Sequence, residues 1–303
     1  MTPTQIDKRV EFALLLLLAL LWGSSYFFVK LGLATIPPVT LIACRVSVAA
    51  VLLCAIVLWR GERLPSDPKT LLQLLTQAFL NSFGAWTIVA WGQQYVESSL
   101  ATVLNSTSPL FVFLITFFFP RHESTSGRRL AGACIGIGGV ILIVGTDALN
   151  GLGQQVGAQL GILFAAFMYG CAAIYGKRFS HLSPTVTAAT AMVLASAVMI
   201  PFSLLVDKPW TIDPSPTSLT SAIVLGVMCT GVALMLYFRL LRTLGSMGVA
   251  SQGYLRTAVG VMLGVFVLGE SISPLIGLGI AAAVTGVVLI NLPARKAAPP
   301  TQE

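Results

Sequence analysis

A chain of 303 residues that is 56% hydrophobic and only 10% charged, with a mean hydropathy of +0.88, cannot clothe a water-facing surface, since soluble domains carry about 25% charged residues. Its apolar runs are too long and too numerous for one buried core, so hydrocarbon is the expected solvent. The net charge of +7 does not signal nucleic acid, because the basic residues recur at the ends of apolar runs instead of clustering on one polar module.

In chain order, apolar runs of about 20 residues predict ten transmembrane helices, at 11–34, 38–59, 70–91, 99–119, 128–146, 156–177, 184–206, 217–240, 247–268 and 273–292. The first run follows Lys8 and Arg9 as a signal peptide would. It is long enough to span and lacks a small-residue cleavage site, so it is read as a helix. Pro37-Pro38, Pro65, Pro68, Pro120 and Pro184 punctuate the turns. Pro37 and Pro184 suit a first helical turn, where a missing N–H goes unmissed. The cysteines, Cys44, Cys54, Cys134, Cys171 and Cys229, all lie in apolar runs without CxxC spacing, which implies small hydrophobes and neither a disulfide framework nor a zinc site. His122 and His181 fall in predicted loops. No metal or other cofactor is expected.

Lysine and arginine set the orientation. Alternate loops carry Lys8 and Arg9; Arg60, Arg63 and Lys69; Arg121, Arg128 and Arg129; Lys177 and Arg178; Arg239 and Arg242; and Arg295 and Lys296, while Lys208 is the clear exception. The positive-inside rule then predicts a multi-pass cell-membrane protein with both termini in the cytoplasm.

Sliding the chain against itself by 147 residues gives an ungapped match that pairs Gly23 with Gly170, Lys30 with Lys177, Pro37 with Pro184, Gly84 with Gly231, Glu123 with Glu270, Gly132 with Gly279 and Gly139 with Gly286. Each half holds five predicted helices, 1–147 and 148–294, with a cytoplasmic tail at 295–303. An odd number means that the second half enters the membrane upside down, so Lys30 ends a helix at the outer face and Lys177 ends its counterpart at the inner one. The expected fold is all-α, ten transmembrane helices as two inverted five-helix repeats. Halves of this kind can exchange conformations and open one pathway to either side, which points to a carrier.

The first-helix run Trp22-Gly23-Ser24-Ser25-Tyr26-Phe27, repeated as Tyr169-Gly170-Cys171, together with Pro109 and with Leu268-Gly269-Glu270 followed by Gly279 and Gly286, resembles the EamA family of the drug/metabolite transporter superfamily. The resemblance runs from about residue 12 to 292. It implies a ten-helix exporter of amino acids, drugs or other metabolites with a cavity between its halves, and the chain is most similar to YddG-type exporters of aromatic and other amino acids. Two departures stand out. Pro120-Arg121-His122-Glu123 replaces the first-half LGE, and Arg256 occupies the position matching Pro109.

Transport needs polar and aromatic side chains at membrane depth. Arg256 lies inside the ninth span without an acidic neighbour in sequence; it either meets a substrate carboxylate, or bonds helix-end carbonyls or snorkels. Arg45, nearer the end of its span, is read as structural. Asn105, Ser108 and Pro109 in the fourth span, matched by Gln252 and Tyr254 in the ninth, are candidate cavity residues or interhelical hydrogen-bonding groups. Pro109 should free a carbonyl near Asn105. Asn81 sits mid-span, where its amide must face a cavity or a partner helix. Trp22, Ser25, Trp86, Trp91, Tyr169, Tyr175 and Tyr237 complete the candidate substrate site, its aromatic walls able to stack on a substrate side chain. Trp59 and Trp210 read as interfacial anchors. Gly132, Gly136, Gly138 and Gly139, and Gly277, Gly279, Ala283 and Gly286, form small-residue faces for packing or dimerisation, leaving a homodimer open. Glu270 reads as a cap, with proton coupling as the alternative.

The run from Gly170 to Lys177 lacks phosphate-loop spacing and a following Ser or Thr, and Asp147, Asp207 and Asp213 fall in loops. No catalytic set emerges. The expected function is secondary export of a small metabolite, foremost an amino acid, by alternating access through a central site lined by the lipid-embedded helices 1, 3, 4, 6, 8 and 9. Drug export, a membrane-embedded enzyme and a channel are the alternatives.

Overall fold

The computed structural model describes residues 8–118, 127–149, 153–179, 182–243 and 252–291. Among these there is no strand. The α-helices are α1 (Lys8–Gly32), α2 (Pro38–Trp59), α3 (Pro68–Ala78), α4 (Gly84–Gly92), α5 (Ser98–Asn105), α6 (Ser108–Phe118), α7 (Gly127–Leu149), α8 (Gly153–Tyr175), α9 (Pro184–Val206), α10 (Pro216–Gly226), α11 (Ala233–Thr243), α12 (Gln252–Leu268) and α13 (Pro274–Asn291). Among the described residues, six stretches are long and apolar enough to cross a bilayer: Arg9–Gly32, Pro38–Trp59, Ser98–Ile115, Gln155–Tyr175, Pro184–Val206 and Pro216–Tyr237. Shorter apolar helices run over Leu130–Leu142, Leu255–Leu268 and Pro274–Gly286. The molecule is therefore an all-helical, multi-pass membrane protein.

Proline opens several helices, as its fixed φ and missing N–H favour. Pro38, Pro68, Pro184 and Pro216 all stand in first turns. Pro37 sits one residue earlier than expected, at the cap of α2. Asp67 caps α3 by accepting from the Thr70 N–H at 2.8 Å, and Thr70 holds that carboxyl below the usual carboxylate range.

Three runs that look continuous in sequence are interrupted. A π turn over Phe79–Phe83 joins α3 to α4, and another over Val227–Val232 joins α10 to α11. A Cβ at Gly84 would lie 2.6 Å from the Phe79 carbonyl oxygen, so the absence of a side chain lets the widened turn close. The third interruption is the expected one. Pro109 offers no N–H one turn back; α5 ends at Asn105, Ser106 and Thr107 form a turn, and α6 starts at Ser108.

Side-by-side packing follows a fixed pattern. Helix α2 lies along α9, α7 along α13, and α1 along α12; α8 packs on α4, α5 and α6, while α10 packs on α1 and α2, and α11 on α1 and α9. Val46, Ala49, Leu53, Met192, Ala195 and Met199 fill the α2–α9 core. The α4–α5–α8 core is built from Val89, Val103, Leu104, Ile162, Ala165 and Met168. The small-residue faces of α7 and α13 meet each other. A Cβ on Gly139 would overlap the Ala283 N and the Gly279 carbonyl, and one on Gly286 would overlap Gly136 and the Gly132 carbonyl. Backbones approach this closely only where side chains are absent. Trp59 and Trp210, at helix ends, are 85% and 68% exposed.

Candidate functional site

Arg45 lies seven residues into α2, roughly 10 Å along a helix that rises about 1.5 Å per residue, and is only 5% exposed. Its Nε donates to Thr230 Oγ1 at 2.8 Å, a residue on the second π turn. Its Cζ stands 3.9 Å from the Trp86 ring centroid, a cation–π geometry. No carboxylate among the described residues pairs with it. Tyr26, Tyr169 and Cys229 are within its electrostatic range.

The same group extends to the break between α5 and α6. The Asn105 Nδ2 donates to the Tyr26 hydroxyl, and the Tyr26 carbonyl accepts from Gln93 Nε2 at 3.0 Å. Tyr169 meets Asn105 by a side-chain hydrogen bond and senses Tyr26, Arg45 and Arg256. Asn105 is 2% exposed, yet its Oδ1 has no hydrogen-bond partner among the described residues. At the break, Arg256 Nη2 donates to Ser106 Oγ at 3.5 Å, and its buried Nε has no partner among the described residues. Polar groups cluster here because buried amides and guanidinium groups need each other where water is scarce.

Of the residues singled out from sequence, Trp86, Asn105, Tyr169 and Arg256 converge on this group. Trp22, like Trp86, packs against the α2–α9 core, its ring 5.3 Å from that of Tyr237, and Ser25 Oγ donates to the Trp22 carbonyl at 2.7 Å. Ser108 and Pro109 open α6 just past the break. Asn81 lies on the first π turn, half-buried. Trp91 and Tyr175 keep other company. Trp91 is 41% exposed, stacked edge-on to Tyr95 and close to Gly161. Tyr175 lies under the Arg178 guanidinium at 4.0 Å, at the C-terminal end of α8. Gln252 and Tyr254 stand on the first turn of α12, and their side chains, like His122 and His181, lie outside the described residues.

Sequence reasoning set Arg45 aside as structural and passed over Tyr26 and Thr230. One signal was available. At the 147-residue shift, Arg45 faces Met192, Tyr26 faces Ala173 and Trp86 faces Ala233. A polar or aromatic residue whose repeat partner is a plain aliphatic is not there for the shared packing.

Both ends of the bundle are tied by polar groups. At the N-terminal end of α1, the 3% exposed Glu11 accepts from Arg239 Nη2 at 2.8 Å and from Thr243 Oγ1 at 2.7 Å. Beside it opens a cavity of about 380 Å³ lined by residues including Arg60, Glu62, Thr185 and Arg239. At the other end of α1, Lys30 Nζ donates to the Gln93 carbonyl at 2.9 Å and to the Val96 carbonyl at 3.3 Å. There too Asp207 caps α2, accepting from Thr40 N at 2.7 Å. Glu270 accepts from the Ser98 and Ser99 N–H groups at 2.6 and 2.8 Å, which makes it the cap of α5.

Among curated relatives, the uncharacterized inner membrane transporter YedA of Escherichia coli K12 is 29% identical over 93% of this chain and 90% of its own length. A probable amino-acid metabolite efflux pump of the same organism is 28% identical, covering 93% of this chain and 95% of the pump. The uncharacterized transporter YoaV of Bacillus subtilis is 25% identical over 72% of this chain and 75% of its own. A crystal structure of another protein superposes with a TM-score of 0.67 at 18% identity, over 93% of this chain and 97% of that one; this likeness concerns the fold alone. The EamA-like transporter family model matches twice, at residues 10–145 and 157–292, two segments of equal length. Matched across both halves, the chain belongs to the EamA-like transporter family.

Proposed function

We propose that this protein exports small amphiphilic metabolites, amino acids foremost, by alternating access through a central site between two inverted five-helix halves. The observation that carries the proposal is Arg45, a guanidinium buried among neutral and aromatic partners about 10 Å into α2. A charge at membrane depth is costly, by about 2.5–3.5 kcal/mol on insertion scales, and packing alone gives no reason to keep it. A transported solute does.

Two further observations support this reading. If the helical segments are counted as ten spans, with α3–α4, α5–α6 and α10–α11 each making one, the exchange of halves maps the packing pattern onto itself. The second span meets the seventh and the fifth meets the tenth; the first meets the ninth as the sixth meets the fourth. Carriers with inverted repeats bind near such an axis and rock about it. The relative described as a probable amino-acid metabolite efflux pump favours amino acids as the cargo.

With both termini in the cytoplasm, the cavity beside Arg60 and Arg239 is the inner vestibule. The Glu11–Arg239 and Lys30–Gln93 ties then stand at the inner and outer ends, and one must loosen for each half of the cycle. Flux runs down the substrate gradient without a coupled ion. The test is counterflow in proteoliposomes across a panel of labelled amino acids, with and without a pH gradient. Saturable exchange that is indifferent to the gradient supports the proposal. Flux of no amino acid, or linear unsaturable flux, rejects it.

A further inference from the structure

The central group carries two guanidinium groups, Arg45 and Arg256, and no carboxylate among the described residues pairs with either. They are not equivalent. Arg256 is half-buried and reaches Ser106, which lies in the break of the fourth span. Arg45 is almost fully buried; among the described residues its one hydrogen bond runs from Nε to Thr230, and Trp86 covers one face of the guanidinium. Arginine has five N–H donors in a planar fork. Nε accounts for one of them here, which leaves the terminal pair for a planar, two-oxygen acceptor.

The duplicated architecture says where this chemistry is extra. The position equivalent to Arg45 in the second half is Met192, and those equivalent to Tyr26 and Trp86 are Ala173 and Ala233. The common fold is therefore compatible with apolar side chains at all three points. A buried positive charge without a negative partner is destabilising, so a partner that arrives with the cargo is the consistent explanation.

We infer that Arg45 is the residue that recognises the cargo, and that what it recognises is a carboxylate: the transported metabolite must carry one, whereas its ammonium group is secondary. The Asn105 Oδ1, buried and unpartnered among the described residues, lies at the C-terminal end of α5, where helix carbonyls carry partial negative charge. It receives an ammonium when the cargo has one. Trp86, Tyr26 and Tyr169 supply the wall against which the rest of the solute packs. This inference rests on the export reading for the direction and act of transport, but not for binding.

The experiment uses three probes of one shape: L-phenylalanine, L-phenylalaninamide and 3-phenylpropionate. Their binding is read by ligand-dependent thermal stabilisation of the purified full-length protein, and their transport by competition for counterflow. The two acids should bind and compete, and the amide should be weaker by about ten- to a hundredfold, the range for a lost charge-assisted hydrogen bond. Arg45→Gln should erase the acid-over-amide preference, Arg45→Lys should keep part of it, and Arg256→Gln should keep most of it. An amide that binds the unmodified protein as well as the acids overturns the inference, and this comparison needs no variant to fold. An Arg45→Gln protein that keeps the preference overturns it too. Acids that bind without being carried leave Arg45 its role and reject amino-acid export instead.

Discussion

Arg256 and Trp22 are side chains whose removal should be felt by the cargo, whereas Gly136 is not. Trp22 lies against Tyr237, and Arg256 donates to Ser106 in the break of the fourth span. A Cβ at Gly136 would find its nearest neighbours at 3.7 Å, an ordinary contact. Arg256→Ala and Trp22→Ala should therefore each reduce counterflow about tenfold or more, the equivalent of about 1.4 kcal/mol, while Gly136→Ala stays near the unmodified rate. Equal rates in all three variants would remove these residues from the pathway. Glu270 invites the opposite kind of test. Both carboxylate oxygens are engaged by backbone N–H groups at the start of α5, so Glu270→Gln should lower thermal stability by about 1 kcal/mol. The ratio of flux with and without a pH gradient should not change; a change would make Glu270 a proton carrier. At this scale the sequence was half legible. Asn105, Trp86 and Tyr169 stand out as polar or aromatic residues inside apolar runs. Arg45 does not, because an arginine near a helix end has an ordinary explanation, and what alters it comes from Trp86 on α4 and Thr230 in the other half of the chain.

Helices are where the amino-acid pattern speaks most clearly, and where its silence is also instructive. Apolar length alone sets α2 and α9 to within a residue of the expected spans, and Pro109 announces the gap between α5 and α6. The two π turns are not announced. An inserted residue changes no hydropathy, and its stability depends on neighbours, such as the Phe79 carbonyl that presses on Gly84. The glycine faces of α7 and α13 show a similar limit. Composition says that something must come close, but not whether it belongs to the same chain; here the two helices answer each other. That contact yields a graded prediction. Gly139→Ala and Gly286→Ala put a methyl group into opposing backbone and should each destabilise the protein by about 1–3 kcal/mol, the usual range for overpacking. Gly136→Ala, on the same face, should leave the melting temperature almost unmoved. If all three melt alike, the close approach of α7 and α13 is wrong.

For the molecule as a whole, the decisive issue is whether its halves point in opposite directions. The equal family matches at 10–145 and 157–292 and the exchange-symmetric packing are what a duplication produces, and alternating access depends on that duplication being inverted. Two exposed loop residues separate the possibilities. Ser66, between α2 and α3, and Asp213, between α9 and α10, are 147 residues apart and so occupy equivalent points of the two halves. A parallel duplication leaves them on one side of the membrane; an inverted one sets them on opposite sides. The chain's own cysteines sit on helices, so each new thiol is compared with the unmodified protein. In intact cells, Asp213→Cys should react with a membrane-impermeant maleimide, whereas Ser66→Cys should react only after permeabilisation. The basic residues Arg60, Arg63 and Lys69 around Ser66 fix which side is which by the positive-inside rule. Labelling of both positions from outside, or of neither, would leave the two halves parallel. The Glu11–Arg239 and Lys30–Gln93 ties could then no longer be alternately opened by exchanging the conformations of the halves, and the carrier mechanism would lose its physical basis.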